Sequence, residues 1–164
     1  MHVPETKDAL SCLTYETSGF AALLAEEGRA YTDGSGGNAA VPTITRMTGF
    51  GAAVIEILPR PGGLLRIGRI EGLAGGVPGR QTVPRAELWA ACQVLSRTRP
   101  ELPMEIGIDA KYVVEGSNTL REDLVRGPNG DLWALLQSEL ARRTASTRLF
   151  KVKAHTDREG ARGL

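Results

Sequence analysis

The chain has 164 residues, 41% hydrophobic and 24% charged, which suits one globular domain with its own core. Its formal charge of +1 hides an asymmetry: Met1 to Gly28 holds five acidic residues against Lys7 alone, so the remainder carries +5. No apolar run approaches the roughly 18 residues of a membrane span, the acidic start lacks the features of a secretory signal or transit peptide, and Cys12 and Cys92 show neither zinc nor disulfide spacing, so an intracellular location, cytoplasmic or nuclear, is expected.

Residues 1–28 contain one helical patch, Phe20 to Glu27, and read as an N-terminal extension of unreadable function, with the domain proper over 29–164. Ala30 to Asp33 is a short strand, and Gly34-Ser35 reads as a turn opening a loop of Gly and small residues to Thr45. Phe50 to Leu58 is an apolar β-branched run expected to be a buried strand, Pro59 to Gly63 a turn, and Leu64 to Leu73 a second strand pairing with the first as a hairpin. Gly72 to Gly79 lacks the Gly-Lys-Ser/Thr ending of a nucleotide-phosphate loop and reads as a flexible connector.

A helix follows, with Pro84 in its first turn and Leu88, Ala91, Cys92 and Leu95 as its apolar stripe, ending before Pro100. Glu87 sits in that first turn, where an acid is often only a helix-dipole partner. Met104 to Ile108 alternates as a compact strand closed by Asp109, which suits the cap of a helical turn through Gly116. Glu115 to Pro128 is polar and mixed in charge. Asn129 then looks like the cap of a helix buried through Leu132, Leu135, Leu136 and Leu140, and Leu149 to Val152 is the last strand. From Arg142 to Arg162, seven Lys or Arg residues stand against Asp157 and Glu159. Such a run serves as a solvated face or as a phosphate-backbone contact, and the pattern leaves both open.

This order of elements gives an α/β domain whose antiparallel meander is followed by strands arriving through helical crossovers. Right-handed crossovers return the strand before Asp109 parallel to the strand before Asp33. Both acids then lie at one end of the sheet, where open α/β sheets bind ligands.

Five segments, Tyr31-Thr32-Asp33-Gly34-Ser35, Pro84-Arg85-Ala86-Glu87-Leu88, Asp109-Ala110-Lys111-Tyr112-Val113-Val114-Glu115-Gly116, Asn129-Gly130-Asp131-Leu132-Trp133 and Val152-Lys153-Ala154-His155, together resemble type 1 ribonuclease H, cellular or retroelement-derived. They occur in that family's order over about residues 28 to 157. The resemblance implies a ribonuclease H-like α/β fold: a five-stranded mixed sheet, three antiparallel strands then two parallel, flanked by helices. It also implies an endoribonuclease acting on the RNA strand of RNA/DNA hybrids and leaving 5′-phosphate and 3′-hydroxyl ends.

Carried over motif by motif, Asp33, Glu87 and Asp109 match the family's metal-binding carboxylates. Two ionised carboxylates about 4 Å apart repel by roughly 4 kcal/mol at an effective dielectric near 20, so three together call for cations. Oxygen-only ligands favour Mg²⁺, with Mn²⁺ as substitute, and two such ions can activate water and steady the leaving oxygen. His155 matches the histidine that helps handle the water's proton or product departure. Gly34 and Ser35 are expected near the RNA sugar-phosphate chain, whose 2′-hydroxyl distinguishes it from DNA, with Arg85, Lys111 and Asn129 as further strand contacts.

The sequence departs from the family in several places. The family's fourth carboxylate lies about ten residues beyond the histidine; here the sequence ends nine residues beyond His155, with Asp157 and Glu159 as differently spaced substitutes and no segment matching the final helix. Residues 115–128 are too short and mixed for a basic hybrid-gripping protrusion, and Val83-Pro84 replaces polar residues. Two competing readings follow: a degenerate ribonuclease H-like module that binds nucleic acid with weak or no catalysis, and another nuclease or transposase of the same broad fold.

Overall fold

Alternation along the strands splits their side chains between two faces, and among the described residues the helices that contribute to the core pack on one of them. The computed structural model describes residues 13–35, 48–118 and 121–152. In chain order the elements are β1 (Thr14–Glu16), α1 (Phe20–Glu27), β2 (Arg29–Ser35), β3 (Gly49–Pro59), a 3₁₀ turn (Pro61–Gly63), β4 (Leu65–Gly76), α2 (Val83–Leu95), β5 (Met104–Ile108), α3 (Lys111–Gly116), α4 (Arg121–Arg126), α5 (Gly130–Ala141) and β6 (Thr147–Lys151). They form a mixed six-stranded sheet in the order β1-β4-β3-β2-β5-β6. The β1/β4, β4/β3 and β3/β2 pairs are antiparallel, and β2/β5 and β5/β6 are parallel. The expected α/β class, the β3/β4 hairpin and the parallel return of β5 beside β2 are all present.

On the helical face, Ala30, Phe50, Ala52, Val54, Leu73, Met104, Ile106 and Ile108 are buried against α1, α2 and α5. The expected stripe of α2 is there: Leu88, Ala91, Cys92 and Leu95 all enter the core. Cys92 is a free thiol, and burial pushes its pKa up to about 12, which makes it a packing residue. On the other face, Tyr15 is 71% exposed and Ile67 and Ile70 about as open, at 60% and 61%.

The largest correction concerns the N-terminus. Residues 14–27, expected in an extension, are built into the body: β1 adds a sixth strand beside β4, and Phe20, Leu23 and Leu24 of α1 have no exposed surface. At about 1.5–3 kcal/mol for each large apolar side chain fully buried, these three hold α1 in place. A three-residue strand carries too little alternation to be read, and its pairing is imposed by β4. Gly75 permits it, because a Cβ there would lie 2.4 Å from the Leu13 carbonyl oxygen.

Smaller corrections follow from the same registers. Gly34-Ser35 is not a turn, since β2 continues through Ser35 opposite Gly49. Gly72 to Gly76 is strand rather than connector, tied to β3 along its length. The polar segment after Glu115 contains α4. The basic run is neither a purely solvated face nor a free phosphate footprint over its described part. Arg142 donates to the Leu95 and Thr98 carbonyls at the end of α2, Arg143 to the Leu102 carbonyl and the Thr98 hydroxyl, and Arg148 to Glu105. Arg142 thus ties the end of α5 to the last carbonyl of α2.

Candidate active site at one end of the sheet

Thr32 of β2 and Ile108 of β5 are register partners in a parallel pair, so the acid following each, Asp33 and Asp109, emerges at the same end of the sheet. Glu87 comes from α2, which lies across β2 and β3. Gly34 makes this approach possible: a Cβ at that position would lie 2.7 Å from Glu87 Cγ and 2.9 Å from its backbone nitrogen. The glycine beside Asp33 therefore admits the helix that carries the second acid.

Two simpler roles for these acids do not hold. The residue at the N-cap position of α3 is Ala110, with no side-chain cap bond, so Asp109 is not a cap. Because α2 starts at Val83, Glu87 stands past the first turn, which leaves it no role as a helix-dipole partner.

The electrostatics report the convergence. The Glu87 pKa is pushed up from 4.5 to about 7, first by burial, then by the charges of Asp109 and Asp33, with Lys151 pulling the other way. The Asp109 side chain is only 7% exposed, and its Oδ1 lies 3.7 Å from Lys151 Nζ. Asp33 is exposed, and its Oδ1 accepts the Gly34 N–H at 2.9 Å. The acids are electrostatically coupled but not drawn into a finished cage: among the described residues no three Asp, Glu, His or Cys side chains are arranged to hold a metal ion. In donor type and charge the trio fits a hard divalent cation; in its present rotamers two members are directed at Gly34 and Lys151. Beside them an open trough of about 990 Å³ runs along the exposed face of the sheet, lined by Tyr15, Tyr31, Ala53, Ala74 and Val152 together with Asp33 and Asp109.

No protein-family model matches the sequence, and no curated protein does. Solved structures do. The solution structure of the prototype foamy virus RNase H domain superposes with a TM-score of 0.55 at 20% identity, covering 77% of this chain and 79% of that domain. The chain has a ribonuclease H-like fold. The crystal structure of the prototype foamy virus protease-reverse transcriptase matches similarly, with a TM-score of 0.54 at 21% identity over 79% of this chain, which spans only 18% of that much longer protein.

Within this ribonuclease H-like domain, the other expected site residues divide into three groups. Lys111 is at the surface, its side chain 72% exposed and 3.5 Å from Glu115. Arg85 and Asn129, expected as strand contacts, are turned into the protein. Arg85 grips Asp131 through both terminal nitrogens at 2.9 and 2.7 Å, and its Nε donates to the Pro78 carbonyl at 2.7 Å. Asn129 accepts from Arg85 and donates to the Tyr112 hydroxyl, which also accepts the Trp133 indole N–H at 2.9 Å. The motif residues Arg85, Tyr112, Asn129, Asp131 and Trp133 thus form one polar lock joining α2, α3 and α5. His155, Asp157, Glu159 and the Ser35 side chain lie outside the described residues.

Sequence reasoning missed Asp131 as the partner of Arg85 and Lys151 as a neighbour of the carboxylates. The signal for Lys151 was its place in β6, directly before the Val-Lys-Ala-His motif. Its pairing opposite Ile108 brings it beside Asp109.

Proposed function

We propose that this chain is a divalent-metal-dependent endoribonuclease that hydrolyses the RNA strand of RNA/DNA hybrids by a two-metal-ion mechanism, leaving 5′-phosphate and 3′-hydroxyl ends. The observation that carries the reading is the meeting of Asp33, Glu87 and Asp109, from three elements distant in sequence, at one sheet end of a ribonuclease H-like fold, closely enough for two of them to raise the pKa of the third. Clustered carboxylates that repel one another, with Glu87 half-buried among them, are costly unless a cation or a proton compensates them.

Mg²⁺, or Mn²⁺ in its place, supplies Lewis-acid activation of water and neutralises the leaving oxygen when bound. The three carboxylates offer the oxygen donors. Gly34 keeps Glu87 against β2, and the backbone around Gly34 and Ser35 is the surface offered to the RNA sugar, with Lys111 available to phosphate. His155 is assigned the handling of the water's proton or of product departure, and Asp157 or Glu159 stand for the family's fourth carboxylate.

Cleavage of a labelled RNA/DNA hybrid with Mg²⁺ and with EDTA tests this reading. Hybrid RNA is expected to be cut and duplex DNA spared, with activity abolished by EDTA and reduced at least ~100-fold, the scale of a lost charge-stabilising group, by Asp33→Asn or Asp109→Asn. Unchanged turnover in both variants would refute it. The contact between Lys151 and Asp109 keeps a second reading in play, a binding module without turnover. That reading predicts salt-sensitive hybrid binding and no cleavage at any Mg²⁺ concentration.

A further inference from the structure

A cation is already present among the acids. Lys151 is the last residue of β6, paired in register with Ile108, which places its ammonium against the next residue of the neighbouring strand, Asp109. The Nζ lies 3.7 Å from Asp109 Oδ1 and 3.3 Å from the Val152 carbonyl oxygen. Its charge reaches as far as Glu87, where it opposes the repulsion of the two aspartates. The exposures of the pair are unequal: the Asp109 side chain is 7% exposed and Lys151 44%. The lysine side chain is thus the more exposed member of the pair, so its ammonium can leave for solvent with a smaller desolvation change than a buried cation would meet.

We propose that Lys151 is a resident counter-charge of the carboxylate site, which a divalent cation must displace from Asp109, so that this side chain weakens the site's affinity for metal. The proposal rests on the nuclease reading above and makes Lys151 a positioning residue acting through Asp109. A monovalent ammonium and a divalent ion cannot share the same carboxylate oxygens cheaply, because like charges a few ångströms apart repel strongly in a partly desolvated site. Holding the acids together before metal arrives and competing with the metal afterwards are two consequences of one contact.

The test is Mn²⁺ binding to the full chain, followed by electron paramagnetic resonance of the free ion, in the unaltered protein and in Lys151→Met, Lys151→Gln, Lys151→Arg and Asp109→Asn. Removing the charge is expected to tighten Mn²⁺ binding about fivefold or more, in the range expected for one charge in a partly exposed site. Lys151→Arg should stay within about twofold of the unaltered protein, on the same reasoning. In EDTA, the two neutral variants should melt lower than the unaltered protein and gain more from added Mn²⁺. Equal or weaker Mn²⁺ binding by both neutral variants, beside normal binding by the unaltered protein, would overturn the role of Lys151 alone. Absence of any Mn²⁺ binding that Asp109→Asn removes would overturn the metal site itself, and this proposal with it.

Discussion

At the scale of single residues, the site depends on one missing side chain and one unusual carboxyl. Gly34 has no Cβ, and Glu87 occupies the space a Cβ would need. Gly34→Ala is expected to cost about 1–3 kcal/mol, the usual penalty of overpacking, and to weaken hybrid cleavage by lifting Glu87 away from Asp33. Urea unfolding and the cleavage assay check the two effects separately. Glu87 carries a pH signature. Its folded pKa, about 7, stands above the ordinary 4.5, so the metal-free folded state holds a proton that the unfolded state has released. The stability it contributes is complete below pH 4.5 and is lost as pH rises towards 7. Glu87→Gln should therefore flatten the decline of metal-free stability across that window and raise stability at pH 8, read from urea midpoints at several pH values. An unchanged pH profile would mean that burial and the neighbouring acids do not raise the Glu87 pKa. The placement of Asp33 and Asp109 at one end of the sheet was legible in the sequence because Asp33 belongs to a short strand and Asp109 closes an alternating one, and a right-handed crossover makes the two strands parallel. Arg85 was misread, because a motif gives no depth: its inward turn is decided by Pro78 and by Asp131, far along the chain.

At the scale of elements, the fold is held by contacts between helix ends and by the polar lock. Arg85 is 7% exposed, and its ion pair with Asp131 is one of the contacts that dock the start of α5 against α2. Arg85→Met removes a charge-assisted bidentate pair and leaves the Pro78 carbonyl unpaired, an expected loss of about 1–3 kcal/mol. Asp131→Asn should lower the melting temperature in the same direction but by less, because the Asp131 side chain is itself 64% exposed. A stability unaffected by both changes, measured by thermal unfolding, would show the lock to be incidental. Gly116 belongs to the same arrangement, since a Cβ there would fall 2.2 Å from the Trp133 ring. The strands and helices with long apolar periods, β3, β5, α2 and α5, were readable from sequence. Short elements set by tertiary pairing were not: β1 exists because β4 offers it an edge, and α4 lies in a stretch whose composition shows no period.

For the whole molecule, the antiparallel half of the sheet supplies Asp33 and the crossovers return Asp109 at the same end, while α2 brings Glu87 against Gly34 and within electrostatic reach of both. The described sequence motifs thus divide into two tasks that no motif distinguishes: the acids lie at one end of the sheet and are electrostatically coupled, and Arg85, Tyr112, Asn129, Asp131 and Trp133 hold the helices together. Among the described residues no helix is long and apolar enough to cross a membrane. The central claim is that the three acids form one divalent-cation site, and the most direct test is anomalous diffraction from crystals soaked in Mn²⁺. Anomalous density is expected bounded by the carboxylates of Asp33, Glu87 and Asp109, with Lys151 withdrawn from Asp109. Density only elsewhere, with Lys151 still against Asp109 at saturating Mn²⁺, would contradict it.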